Sequence, residues 1–161
     1  MGLSHLAKSR KSLAVSALTV MAMLLSLSYL MAGDDPKCIP AVGRLTDHVT
    51  DFATLASEGT VTGDLKGTYN FIISHPPIAT PDQPQISFFT ANSSILTKTG
   101  RIDINETGVV DFTTGNLADL WTVVGGTGRW DHATGQIFAN GNFNLAAGTA
   151  SVIFAGQVCR P

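Results

Sequence analysis

Two runs near the C-terminal end of the chain show the two-residue periodicity of a β-strand, most clearly as an alternation of apolar and polar residues. In residues 136–145, QIFANGNFNL, the odd positions are apolar or glycine, and the even positions are polar except for Phe138. Residues 150–158, ASVIFAGQV, form a second such run after an AAGT segment. Alternation is typical of a strand with one buried face, because successive side chains point to opposite sides of a sheet. The runs predict an antiparallel hairpin with its turn at AAGT, and Asn140–Gly141 inside the first strand.

Glycines punctuate the chain from residue 59 onward, and short runs rich in Val, Ile, Thr and Phe lie between them. Short strands at this spacing are typical of a β-sandwich or barrel. The segment HPPIATPDQP, residues 75–84, holds four prolines and is predicted to be a loop. Residues 47–57 are expected to form one or two helical turns. The predicted fold class is therefore all-β, a single antiparallel up-and-down barrel of about eight strands.

The first residues of the chain have the order of a secretory signal peptide. Residues 1–12 carry three basic side chains and no acid, residues 13–31 are apolar with some Ser and Thr, and two aspartates follow soon after. This order predicts a signal peptide over residues 1–32 and a secreted protein, extracellular or periplasmic. The alternative is an N-terminal membrane anchor, because about 20 apolar residues span a bilayer. Residues 33–57 are then expected to be a lead-in, and residues 58–161 the barrel.

The two cysteines lie far apart in the sequence, at Cys38 and Cys159. In an exported protein such a pair predicts one disulfide bond. The alternative, a nucleophilic or metal-binding cysteine, lacks a CxxC spacing or a matching histidine. From residue 33 onward, twelve acidic side chains face seven basic ones, a net charge of −5. This excess of acidic residues, together with the lack of a run of basic residues, argues against nucleic acid as a partner.

The glycine-rich segment VVGGTGRWDHATGQ, residues 123–136, invites comparison with a phosphate-binding loop. It lacks the Lys and Ser or Thr of a Walker loop, and GTGRWD has no third glycine of a dinucleotide fingerprint. The segment is therefore interpreted as a structural turn between two strands, with Trp130 closing one end of the barrel. The residues assigned to this turn are Gly125, Gly126, Gly128, Trp130 and Gly135.

No other motif for metal, cofactor or nucleophilic chemistry is found. His48, His75 and His132 lie in separate segments without the spacing of metal ligands, and no serine lies in a G-x-S-x-G elbow. We therefore predict no metal site and no cofactor. NSS at Asn92 and NET at Asn105 are acceptor sequences for N-glycosylation, which matter only in a eukaryotic host.

Three aspartates, Asp103, Asp111 and Asp119, fall on consecutive predicted strands. Arg101 lies two residues before Asp103 and so shares its strand face. If that face lines a barrel, these side chains form a polar patch that positions a ligand or transfers a proton. The alternative is a solvated outer face with cross-strand pairs.

The segment VVGGTGRWDHATGQIFANG, with the strands that follow it and GTVTGDLKGTYNF before it, resembles the dirigent and allene oxide cyclase superfamily. Val123, Val124, Thr127 and Ala133 carry this match together with the glycines and tryptophan of the turn. The resemblance is closer to secreted allene oxide cyclase barrel-like proteins than to plant members. It implies a closed eight-stranded barrel, a homotrimer as candidate assembly, and a cavity for an apolar molecule. Plant members steer phenol coupling or cyclise a fatty-acid epoxide. The active-site residues of the family are not matched one by one to positions in this sequence, so none is assigned.

Three functional hypotheses follow. The first is a secreted barrel that binds an apolar or phenolic molecule and steers its cyclisation or coupling. The second is a cofactor-free cyclase or isomerase with an acid–base group such as Asp103 or Asp111, which needs a buried ionisable group without a partner. The third is a structural protein with a filled barrel. The candidate cavity residues are Tyr69, Phe89, Arg101, Asp103, Asp111 and Trp121.

Overall fold

The computed structural model describes residues 36–161. The predicted signal peptide, residues 1–32, and the first residues of the predicted lead-in lie outside the described residues. Within the described part of the chain, no helix is long and apolar enough to cross a membrane.

Eight long antiparallel β-strands form a closed barrel. A short strand, β4, pairs only with β5, and one turn of 3₁₀-helix spans Gly128–Trp130. The strands in chain order are β1 Lys37–Asp51, β2 Ala56–Gly63, β3 Gly67–Ile73, β4 Ile78–Ala79, β5 Ile86–Thr97, β6 Gly100–Asp111, β7 Asn116–Gly126, β8 Thr134–Asn144 and β9 Thr149–Arg160.

Each long strand pairs with the long strands before and after it in the sequence, so the barrel is an up-and-down barrel. Strand β3 pairs with β5 across the loop that contains β4, and β1 pairs with β9 to close the wall. The predicted fold class is therefore confirmed. The β8–β9 hairpin also follows the alternation, and β8 runs straight through Asn140 and Gly141.

The barrel begins at β1, not at residue 58 as predicted. Strand β1 occupies most of the segment expected to be a lead-in and pairs with both β2 and β9. The helical turns expected at residues 47–57 are likewise wrong, because β1 extends to Asp51 and β2 starts at Ala56. The alternation of apolar and polar residues is hard to recognise in β1, because Gly43 and Asp47 occupy inward positions, which are mostly apolar in the other strands.

The disulfide bond predicted between Cys38 and Cys159 is confirmed. The two residues lie directly opposite each other in the β1–β9 pairing, with 3.8 Å between their Cα atoms. The bond therefore links the first and last strands of the barrel wall across the seam where the wall closes.

The glycine-rich segment at residues 123–136 connects β7 to β8. Gly126 is the last residue of β7, and a Cβ there would collide with the Arg101 carbonyl of β6. Gly128 has a φ of +63°, a conformation that side chains disfavour. Trp130 follows and is buried in the hydrophobic core. Strand β8 then begins at Thr134, with Gly135 as its second residue.

Candidate functional site

The barrel interior contains a cavity of about 400 Å³. Its lining includes Leu55, Phe112 and Leu145, so the cavity extends toward the end of the barrel that carries the β1–β2, β6–β7 and β8–β9 turns. The space exists partly because Ala139 of β8 and Ala150 of β9 point inward, where larger side chains would fill the barrel. Apolar side chains form most of the surface, which favours apolar ligands.

Aromatic side chains dominate one part of the lining. The rings of Tyr69 and Trp121 stack with centroids 5.9 Å apart, and Phe71 meets Phe89 edge to face at 6.2 Å. Phe154 supports Trp121 from behind at 5.3 Å, although it does not line the cavity itself. These contacts hold each ring in a defined orientation, so the aromatic surface is formed without a ligand.

Glu106 lies at this aromatic surface and is fully buried. Its Oε1 atom accepts a hydrogen bond from the Tyr69 hydroxyl at 2.7 Å and another from the Ser93 hydroxyl. The three side chains come from β6, β3 and β5, which are neighbours in the wall. Glu106 points inward because it continues the inward series of Ile102 and Ile104 along β6.

Asp119 of β7 is the second buried carboxyl and is only 8% exposed. Its Oδ2 atom accepts a hydrogen bond from Trp121 Nε1 at 2.8 Å, two residues further along the same strand face. The Oδ1 atom is buried and has no hydrogen bond from an amide, hydroxyl or cationic donor of residues 36–161. The other side-chain donor to the Asp119 carboxyl is the neighbouring carboxyl of Glu106. Gly108 faces Asp119 across the β6–β7 pairing, and the Phe89 ring fills the space that a side chain at Gly108 would need.

Glu106 and Asp119 form a carboxyl pair within hydrogen-bonding reach of each other. Burial raises the pKa of Glu106 well above its ordinary value, and the neighbouring Asp119 raises it further. Burial also raises the pKa of Asp119, although its hydrogen bonds with Glu106 and Trp121 act in the opposite direction. Two carboxyls this close in an apolar interior resist losing both protons. We infer that Glu106 carries the shared proton and Asp119 the negative charge.

Glu106→Gln is expected to flatten the dependence of stability on pH. The folded pKa of Glu106 lies above its ordinary value of 4.5, so the unfolded chain ionises first as the pH rises. The stability contributed by the neutral carboxyl is fully present below pH 4.5 and is lost as the pH rises toward the folded pKa. This loss of folding stability amounts to at most about 1.4 kcal/mol per pH unit for one proton. Glutamine cannot ionise, so the variant does not show it.

Urea unfolding at a series of pH values from acidic to neutral measures this effect. Glu58→Gln is the matched control, because Glu58 is exposed on β2 and its substitution leaves the parent profile in place. Parallel profiles for Glu106→Gln and the parent would show that Glu106 ionises normally in the folded protein.

Asp47 of β1 is a third carboxyl at the cavity, and its environment differs from that of the pair. Its two oxygen atoms accept hydrogen bonds from the Ser57 hydroxyl at 2.9 Å and from the Ala150 backbone N–H at 3.1 Å. Burial raises its pKa, and these two donors lower it in part. Asp47 therefore has a structural role, since it joins β1 to β2 and β9.

The lining within residues 36–161 contains these three carboxyls and no Lys, Arg or His side chain. Nor do these residues contain a group of three or more His, Cys, Asp or Glu side chains placed to hold a metal ion. His48, His75 and His132 are all exposed in separate segments. The cavity therefore combines a mostly apolar lining with a negative electrostatic potential.

Of the predicted cavity residues, Tyr69, Phe89 and Trp121 line the cavity. Arg101 and Asp103 do not, because they lie on the outer face of β6, where their side chains form an exposed ion pair at 2.6 Å. This prediction is wrong for a simple reason: the inward face of β6 carries Ile102 and Ile104, and side chains one residue away point outward.

Asp111 is also outside the cavity. It ends β6 and accepts hydrogen bonds from the backbone N–H groups of Thr113 and Thr114, at 2.8 and 3.4 Å. These donors hold its pKa below the ordinary value. Asp111 thus stabilises the β6–β7 turn, which is a common role for aspartate at the start of a turn.

The sequence reasoning missed Glu106 and Ser93, which lie within the two glycosylation sequences. The acceptor residues Asn92 and Asn105 are exposed and lie opposite each other on β5 and β6. Their neighbours Ser93 and Glu106 point the other way, into the barrel. A charged residue in phase with the apolar positions of its strand was the signal that could have identified Glu106.

No protein-family model matches the chain, and no curated protein matches it either.

Proposed function

We propose that this protein is a secreted barrel that binds one small apolar or phenolic molecule in its interior cavity. The observation that carries the proposal is an apolar cavity of about 400 Å³ with a buried carboxyl pair on its wall. Ligand sites in proteins have volumes of roughly 300–1,000 Å³ and combine an apolar lining with a few polar groups. The Cys38–Cys159 bond supports an oxidising compartment such as the extracellular space.

The arrangement of the lining indicates how such a molecule binds. Its apolar part contacts the aromatic surface of Phe71 and Phe89 and gains stability as both surfaces leave water. Its polar group reaches the Asp119 carboxyl, which lines the cavity. A molecule without any donor cannot form a hydrogen bond with this carboxyl and is disfavoured.

The cavity weighs against a purely structural role, since that hypothesis needs a barrel filled by side chains. The resemblance to the dirigent and allene oxide cyclase superfamily supports the binding hypothesis, because it implies a cavity for an apolar molecule. Either way of using the cavity, holding a ligand or guiding its reaction by shape, depends on the same lining.

A cofactor-free cyclase or isomerase is the second candidate, and the carboxyl pair favours it. Glu106 holds a proton and Asp119 an acceptor, so the pair can give a proton to a bound molecule and take one back. The rigid aromatic surface would hold one folded conformation of the substrate. A test is to incubate the purified protein and a host extract in heavy water. Deuterium that enters a ligand with the parent but not with Glu106→Gln supports this candidate, and equal labelling contradicts it.

Filling the cavity is expected to abolish binding. Ala139→Phe places a large ring at an inward position of β8, so the affinity for decanol, measured by titration calorimetry, falls by about tenfold or more. Ala155→Phe is the matched control, because Ala155 is exposed on the neighbouring strand β9. Native mass spectrometry of protein secreted by its own host provides a second readout. A parent that binds neither decanol nor anything from a host extract would overturn the proposal.

A further inference from the structure

We propose that the cavity selects an organic cation, an apolar molecule whose single protonated amine binds the Asp119 carboxylate. This inference rests on the proposed binding function and names the chemical class of the ligand. It is carried by the composition of the lining, by the small number of donors to the Asp119 carboxyl and by the aromatic side chains of the cavity.

The charges in the lining favour a cation. The cavity is lined by three carboxyl side chains, those of Asp47, Glu106 and Asp119, and no basic side chain of residues 36–161 lines it. A charge in an apolar interior is weakly screened, so the Asp119 carboxylate attracts a cation and repels an anion there. A fatty carboxylate would add a second negative charge without any cation to pair with it. Fatty carboxylates are therefore disfavoured as ligands.

The hydrogen bonds at Asp119 favour an amine over an alcohol. Among the described residues its side-chain donors are the Trp121 indole and the Glu106 carboxyl, which leaves part of the acceptor capacity of this carboxylate unused. An ammonium group is a charged donor with three N–H bonds, and hydrogen bonds between charged groups are about twice as strong as neutral ones. A hydroxyl donates one neutral hydrogen bond to the same carboxylate and leaves the charge on Asp119 uncompensated.

The aromatic side chains add a second attraction for a cation. Tyr69, Phe71, Phe89 and Trp121 all line the cavity, and Trp121 donates its hydrogen bond to Asp119 directly. An ammonium group in the cavity therefore lies among aromatic rings, and the electron-rich faces of such rings attract cations. A metal ion fits less well, because no group of three or more ligating side chains exists within residues 36–161.

Glu106 complements this site by remaining neutral. Burial and the neighbouring Asp119 raise its pKa, although the Tyr69 and Ser93 hydroxyls on Oε1 act in the opposite direction, so the pair presents one negative charge rather than two. A single charge matches a single ammonium group, so a bound monoamine compensates the charge of the pair.

The test compares ligands that share a ten-carbon tail, by titration calorimetry of the secreted protein at neutral pH. We expect decylamine to bind about tenfold or more tightly than decanol, and decanoate to bind least. Decyltrimethylammonium, which carries the charge but no N–H donor, should bind more weakly than decylamine. This comparison needs no variant. Decanol binding as tightly as decylamine would overturn the inference and leave the binding function intact, whereas no binding by any of the ligands would overturn both.

Two isosteric variants assign the preference to Asp119. Asp119→Asn should reduce the ratio of decylamine to decanol affinity to about threefold or less while decanol still binds. Asp47→Asn makes the same chemical change at a carboxyl whose oxygens already have donors, and should retain the preference. A preference that survives in Asp119→Asn would show that another group binds the amine. If Asp119→Asn does not fold, the comparison of decylamine, decanol and decanoate on the parent still supports or overturns the selection of a cation.

Discussion

Replacing both Cys38 and Cys159 by serine is expected to lower the free energy of unfolding by about 4–5 kcal/mol. The two cysteines are 121 positions apart, so their bond closes a loop that contains almost the whole barrel. A crosslink over so long a loop removes many conformations from the unfolded chain. The bond also lies in the β1–β9 pairing, so the variant weakens the seam where the barrel closes.

Unfolding in guanidinium chloride, followed by tryptophan fluorescence, measures this effect. The parent protein in a reducing agent is the control and should unfold at the same midpoint as the double variant. A midpoint that changes neither with the reducing agent nor with the substitutions would contradict the expected role of the disulfide bond.

Trp130→Ala is expected to cost about 3–5 kcal/mol of stability, the range for large buried side chains. Trp130 is 4% exposed although it lies in the turn between β7 and β8. Its Nε1 atom donates a hydrogen bond to Thr97 Oγ1 at 3.0 Å. The guanidinium groups of Arg129 and Arg160 lie 5.7 and 5.9 Å from its ring, within the range of cation–π contacts. Alanine removes all of these interactions and leaves a void.

Thermal or chemical unfolding of the variant gives the cost. Phe138→Ala is the matched control, because Phe138 is 66% exposed on the outer face of β8, and its loss should change stability by no more than about 0.5 kcal/mol. An alanine variant at Trp130 that melts like the parent would show that burial of this side chain contributes little to stability.

Much of the fold could be predicted because apolar residues in β8 and β9 alternate with the period of a strand. The same signal is weak in β1, whose inward positions include Gly43 and Asp47. Glycine there reflects the close approach of the neighbouring strand, and Asp47 is stabilised by donors from β2 and β9. Such contacts are between residues distant in sequence, so a local pattern could not reveal them.

Three aromatic residues of the site were predicted from the sequence, and its carboxyls were missed. Arg101, Asp103 and Asp111 attracted attention as charged residues on predicted strands, but burial depends on which strand face is inward. That choice was readable in β6, where Ile102, Ile104 and Glu106 share a face. The hydrogen bonds to Glu106 come from β3 and β5, and these strands are brought together by their direct pairing across the loop that contains β4.

The carboxyl pair is costly to the folded protein. Burying a carboxylate without a full set of donors opposes folding, and an apolar residue in its place would usually pack without this penalty. Buried groups with strongly shifted pKa values cluster at functional sites more often than elsewhere. Glu106 and Asp119 therefore suit a ligand-binding role better than a purely structural one, in contrast to Asp47, whose oxygens both have donors within the wall.

The pairing of β1 with β9 also has a consequence for the order of events during folding. Strand β1 is synthesised first, but one of its two neighbours emerges from the ribosome more than a hundred residues later. Until then its edge is an open row of backbone donors and acceptors, which is available to other chains. Barrel closure depends on contacts between residues far apart in sequence, a topology that slows folding. The seam thus joins strands that lie far apart in the sequence, and oxidation of Cys38 and Cys159 makes its closure difficult to reverse.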